Sequence, residues 1–233
     1  MSALAGVNGD VLLSTSPPTP LGSPESATDS GNHINYFMAT HQAWDPTKTL
    51  TVQCSPNGSS GWATVTDYDF YYPVGEIVFA TARTVGTNNF VKVSAGSYFS
   101  TSSLSGAHAW KASAKATTKD CTPFQASGNF ATYTATTKSA TFSVDMFSQD
   151  ARILNEMIKS GTGTINTSNG IIVCLLYWDK TNGKRWQFFA LPTGLDTTVA
   201  ANDVDKQTVN MQSTGPLYEI LSNTFNTTNV KRM

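Results

Sequence analysis

The sequence predicts an all-β protein, an antiparallel β-sandwich with one inserted α-helix. Three observations predict it. Short runs of alternating apolar and polar residues recur along the chain at the spacing of sandwich or barrel strands. Charged residues are only 13% of the chain, about half of the ~25% usual in soluble domains. Thr, Ser, Asn and Gly take their place, and these suit pleated surfaces and turns. Only one segment carries a convincing helical period. With 233 residues, 39% of them hydrophobic and 11% aromatic, the chain can close a sizeable core.

Residues 1–47 hold half of the ten prolines, including Ser16-Pro17-Pro18-Thr19-Pro20. Proline fixes φ and removes ladder donors. This segment therefore reads as an extended arm or linker with little regular structure beyond a short strand at Asp10–Ser14, and 48–233 as the β-domain. From Leu50 the strand signals are dense. Leu50–Cys54 ends at Pro56-Asn57-Gly58, and Trp62–Thr66 follows. Asp67–Tyr72 sets Tyr68, Phe70 and Tyr72 on one face, where core packing is the expected role. Glu76–Val85 reads as the longest early strand, and Phe90–Ser94 returns from the Thr87-Asn88-Asn89 turn. Phe130–Lys138 and Ala140–Phe147 read as two further strands.

The helix comes next. Ser148 is an N-cap residue, and Asp150 complements the positive helix end. Ile153, Leu154, Met157 and Ile158 form one apolar stripe, closed by Lys159 and Gly161. Ile171–Trp178 is a near-continuous apolar run, as a central strand requires. Asp179–Gly183 carries the Asn-Gly hairpin signal, and Lys184–Leu191 runs back. Gln207–Gln212 is a strand candidate, and Pro216–Ser222 reads as a short helix. Nine or so strands at this spacing favour a jelly-roll sandwich, with a barrel as the alternative.

Several function classes recede on composition. Fifteen basic and 16 acidic residues give a net charge of −1, and no Lys or Arg precedes Lys48. Nucleic-acid binding needs clustered cations, so it is not expected. No apolar run approaches the roughly 18–20 residues of a membrane span. Cys54, Cys121 and Cys174 are too scattered for a paired-cysteine metal site. Cys174 reads as a buried thiol, while Cys54 and Cys121, near turn residues, leave a disulfide open.

The phosphate-loop, nucleophile-elbow and zinc-helix motifs are all missing. Of His33, His41 and His108, only His108 is a candidate base, and a surface role fits it better. The chain is not expected to be an enzyme. Asp67 and Asp69 would project from one strand face, and Ca²⁺ is the cation such a carboxylate pair suits, although solvated strand carboxylates are commoner. Trp178 and Trp186 flank the 179–183 loop. Facing outward, their rings would stack on a sugar, with Lys180 and Asn182 bonding its hydroxyls. Their apolar neighbours Leu176, Cys174 and Phe188 favour core packing instead.

The Pro-rich start, about nine short strands, sparse charge, abundant Thr, Ser and Asn, and a helix at Ser148–Lys159 between strands resemble the coat or protruding-domain subunits of small icosahedral viruses. The missing basic arm departs from that pattern. The resemblance implies a virion structural protein that self-assembles with copies of itself or other capsid subunits, and that binds a host glycan receptor. A lectin-like carbohydrate-binding sandwich is the alternative. A hydrolase on a β-scaffold is the third reading.

Overall fold

The computed structural model describes residues 9–14, 17–104, 106–120, 133–147, 171–198 and 205–233. Its strands in chain order are β1 (Asp10–Ser14), β2 (Thr19–Pro20), β3 (Glu25–Asp29), β4 (Asn35–Met38), β5 (Thr51–Ser55), β6 (Ala63–Val65), β7 (Tyr68–Tyr71), β8 (Glu76–Phe79) and β9 (Phe90–Ala95). They continue with β10 (Ser97–Tyr98), β11 (Thr101–Ser103), β12 (Ala107–Asp120), β13 (Tyr133–Phe147), β14 (Ile172–Asp179), β15 (Lys184–Thr198), β16 (Lys206–Ile220) and β17 (Val230–Arg232). Every pairing among them is antiparallel.

The larger sheet has eight strands, in the order β11-β1-β14-β15-β16-β13-β12, with β17 beside β16. The second has seven, in the order β6-β5-β9-β3-β4-β8-β7. In each sheet the two end strands are neighbours in sequence. β6 and β7 are separated by two residues, a reach of about 11 Å from Val65 to Tyr68. The edges of a flat seven-stranded sheet would lie about 29 Å apart. The sheet must therefore roll until its edges approach. The same holds for β11 and β12, which lie at opposite ends of the larger sheet's path yet are joined by residues 104–106.

Each rolled sheet encloses its own core. Val11, Leu13, Phe142, Val144, Met146, Ile172, Cys174, Leu176, Phe188, Val209 and Met211 fill the larger one. These residues come from five of that sheet's eight strands and from none of the other, so parts of one continuous sheet face each other like leaves of a sandwich. Register shifts break the β15–β16 pairing between Gln187 and Phe189, where β16 has the extra residues, and between Pro192 and Gly194, where β15 has one. Tyr36, Met38, Trp44, Val52, Cys54, Ile77, Phe79, Val91 and Val93 fill the smaller sheet. The two sheets then pack outer face to outer face. Phe37 and Val74 meet Tyr218, Ile220 and Val230, while Ala43 and Tyr72 meet Val173, Leu175 and Phe189.

The all-β, antiparallel expectation holds. The packed antiparallel sheets are consistent with the expected β-sandwich, and the strand order does not by itself give a jelly-roll path. The inserted helix at Ser148–Lys159 lies outside the described residues. Residues 10–38 contribute four strands, and Tyr36, Phe37, Met38 and Trp44 are core residues. The expectation of little regular structure there is corrected: the prolines fall at or between short strands, where no ladder donor is lost. The helix read at Pro216–Ser222 is also corrected, because β16 continues to Ile220. Gly215 (φ 82°) and Pro216 sit where β16 bulges opposite β15, between the pairs Phe189–Thr214 and Gln187–Tyr218. A bulge accepts both residue types. Glu76–Val85 pairs only as far as Phe79, and the two strands expected on either side of Ser139 are one, β13.

Candidate functional site

The hairpin between β14 and β15 forms as expected, with Gly183 at φ 74°. It brings Trp178 and Trp186 together, their ring centroids 6.2 Å apart and nearly perpendicular. Trp186 also packs against Trp110 of β12 (5.7 Å) and edge-on to Phe142 (6.3 Å). Trp110 Nε1 donates to the Tyr177 carbonyl (3.2 Å), which ties β12 to β14 across the roll. Trp178 and Trp186 are half-buried, and Trp110 and Trp186 pack on the larger core. The cluster therefore closes one side of that core.

The polar partners expected for a sugar are engaged elsewhere. Lys180 Nζ pairs with Asp10 Oδ2 of β1, whose carboxylate also accepts from Ser103 (2.7 Å). Burial opposes ionisation of Asp10, yet these contacts hold it below the ordinary aspartate range. Asn182 Nδ2 donates to Asp179 Oδ2 (2.7 Å), and its backbone N–H to Asp179 Oδ1 (3.1 Å). Both residues thus fix the turn and the first strand.

Asp67 lies just before β7 and pairs with Arg83 Nη2 (2.6 Å), which lowers its pKa. Asp69 is exposed. Among the described residues no group of three His, Cys, Asp or Glu is placed to hold a metal ion. His108 is exposed and stacks on Phe147 (4.6 Å). His33 is held by Asp29. His41 Nδ1 lies 2.6 Å from Glu25 Oε2, and Glu25 Oε1 accepts the N–H groups of Thr40 and His41 (2.6 and 2.9 Å). Both histidines thus brace turns. Cys54 and Cys174 are buried free thiols, and burial pushes both thiol pKa values up. Cys121 lies outside the described residues.

Sequence reasoning missed the sheet edges. Of β13, only Thr141–Phe147 pairs with β16. From Lys115 and Ser139 outward to Asp120 and Tyr133, β12 and β13 have only each other among the described strands. That two-stranded stretch is roughly 20 Å long. β12 alternates: Trp110 and Ala112 pack inward, while Ala109, Lys111, Ser113 and Lys115 are exposed. Among the described strands a second edge opens beyond Ile172, where β14 begins: β15 past Ala190 pairs there with β16 alone, and Asp196 is exposed. The Ala/Lys/Thr alternation of residues 107–120 was the available signal, but no local pattern says whether a strand has one neighbour or two.

No family model matches the sequence, and no curated protein matches it. Among solved structures, a chain titled "Virion of native gene transfer agent (GTA) particle" is similar at 19% identity and a TM-score of 0.41, over 52% of this chain and 88% of that one. A chain titled "Tail of empty GTA particle computed with helical refinement, C6 symmetry" is similar at 16% identity and a TM-score of 0.39, over 72% of this chain and 92% of that one. No helix among the described residues is long and apolar enough to cross a membrane.

Proposed function

We propose that this chain is a structural subunit of a virion-type particle, joined to copies of itself or to other particle subunits by edge-to-edge strand pairing. The observation that carries the reading is the β12–β13 stretch from Lys115 and Ser139 outward, two strands with no third neighbour among the described residues. An isolated two-stranded ribbon is marginal in water. It becomes stable when another strand completes its open edge.

The two open edges are unlike. β12 presents Lys111 and Lys115, and the end of β15 presents Asp196. Lysines on an edge discourage indiscriminate pairing, whereas an edge carrying a carboxylate suits them. Pairing of unlike edges is head-to-tail, and it closes rings or grows helical assemblies. The Pro-rich start, sparse charge and Thr/Ser/Asn surface shared with coat subunits of small icosahedral viruses support the particle reading, with coat or protruding domain as its finer forms.

The test replaces residues 114–140 by Asn-Gly, which joins the paired Ser113 and Thr141 through a two-residue turn. Light scattering and negative-stain microscopy should show regular multimers for the full chain and a folded monomer for the shortened one. A full chain that stays monomeric at all concentrations, or a shortened chain that still assembles, would overturn the proposal.

A further inference from the structure

Residues 15–100 leave the larger sheet and return to it at one place. Ser14, the last residue of β1, pairs with Thr101, the first of β11, so the two ends of that segment lie about 5 Å apart. Every strand of the smaller sheet comes from inside the segment, and every strand of the larger sheet from outside it. The outgoing and returning stretches also pair with each other, Thr19–Pro20 of β2 against Ser97–Tyr98 of β10. A hairpin of the larger sheet is thus opened at its turn to admit a module whose ends are close together, the arrangement that insertion of one unit into another requires.

Among the described residues, the module's links to the larger sheet lie at one end. β3 starts there and β9 finishes there. Phe37, Ala43, Tyr72 and Val74, which meet the larger sheet, belong to the end of β4, the segment after it and the turn between β7 and β8. The pairs Asp29–Tyr36, Asn35–Val78, Tyr68–Phe79 and Ser55–Phe90 mark the opposite end. With six residues in β9, the two ends stand roughly 20 Å apart. The far end carries the turns 30–34, 56–62 and 84–89.

These turns hold their own shape. Asn32 Oδ1 accepts the N–H groups of Ile34 and Asn35 (both 2.9 Å), and Asn57 Oδ1 those of Ser59 (3.0 Å) and Ser60 (2.9 Å). In the third turn Asn88 Oδ1 accepts from Thr84 (2.7 Å) and Asn89 Oδ1 from Gly86 (2.8 Å). Such side-chain bonds replace a turn's missing ladder partners from within, so no neighbouring subunit is needed to order them. None of the three turns contains Asp, Glu, Lys or Arg. They therefore offer no charge to the lysine-bearing β12 edge or to Asp196 of β15. The module's own edge strands, β6 and β7, have only three and four residues, and short edges pair poorly with other chains.

We infer that the smaller sheet is an inserted display module: the larger sheet makes the contacts between subunits, and the turns 30–34, 56–62 and 84–89 face outward from the assembled particle. The insertion topology stands on pairing alone, while the outward placement rests on the particle reading above. Two positions on the turns have room for added residues. Val85 is 66% exposed, and a Cβ built on Gly31 or Gly86 meets nothing within 4 Å. Lengthening an exposed turn costs little, because closure entropy grows slowly with loop length.

The test places a short epitope peptide between Val85 and Gly86 of the full chain and, in a second variant, between Gly31 and Asn32. Both variants should fold, as read by circular dichroism melts, and should form multimers of the parent's size in sedimentation velocity. A Fab against the epitope should bind those multimers as tightly as it binds the unassembled chain, and should project from them in negative stain. Folded variants that no longer assemble, multimers that lose Fab binding, or failure of both variants to fold would overturn this inference while the parent's assembly leaves the particle reading standing. A parent chain that stays monomeric would overturn the particle reading and this inference with it.

Discussion

Arg185 carries its charge into the contact between the two rolled sheets, where it is 2% exposed. Its three polar contacts are neutral: Nε donates to Gln187 Oε1 (3.0 Å), Nη1 to the Gly183 carbonyl (3.0 Å) and Nη2 to Gln42 Oε1 (2.7 Å). Burial accordingly lowers its pKa. Removing the guanidinium strands three acceptors, so Arg185→Ala should cost about 2–4 kcal/mol in urea unfolding. Arg185→Met, which keeps the apolar stem, should cost less. Glu76 poses the opposite case. It is 9% exposed, and burial raises its pKa although Asn35 Nδ2 donates to it (2.7 Å) and Arg232 attracts it. A carboxyl whose pKa is higher folded than unfolded binds more protons in the native state. Stability therefore falls as pH rises from the ordinary glutamate value through the raised one. Glu76→Gln should flatten that slope and stabilise the protein at neutral pH, as read by thermal melts from pH 4 to 8.

Among the elements, the β14–β15 hairpin is pinned by one residue. Gly183 has φ 74°, and a Cβ there would lie 1.9 Å from Asn223 Oδ1 and 2.9 Å from the Asn223 backbone nitrogen. Gly183→Ala adds left-handed strain to a backbone clash and should cost about 2 kcal/mol or more, measured as a lowered urea midpoint with an unchanged slope. This hairpin was legible in sequence because Asn182-Gly183 and the flanking alternation are local signals. The segment from Pro216 was not. Leu217, Ile220 and Leu221 carry a helical spacing, but Tyr218–Ile220 are fixed as strand by pairing to β15 and β17, which no window of neighbouring residues contains.

At the scale of the whole molecule, two sheets share one buried seam. Phe37, Val74, Tyr218 and Ile220 are each 1% exposed or less, and Gln187 Nε2 donates across the seam to the Pro73 carbonyl. Neither sheet can unfold without exposing that face to water. Calorimetry should therefore show one transition whose van't Hoff and calorimetric enthalpies agree. Two separated transitions would mean that the sheets are stable apart.

The sequence by itself determined the strand class, the turns and the apolar faces. Alternation, Asn-Gly pairs and prolines act within a few residues, and Tyr68, Phe70 and Tyr72 pack on the smaller core as their spacing requires. Tertiary structure alone decided that Lys180 pairs with Asp10, that the Tyr36 hydroxyl is buried without a hydrogen-bond partner, and that β12 has one neighbour among the described strands. The reason is physical: a strand's pattern records which face meets apolar groups, whereas its partners, and any edge left open, follow from pairings between residues far apart in the chain.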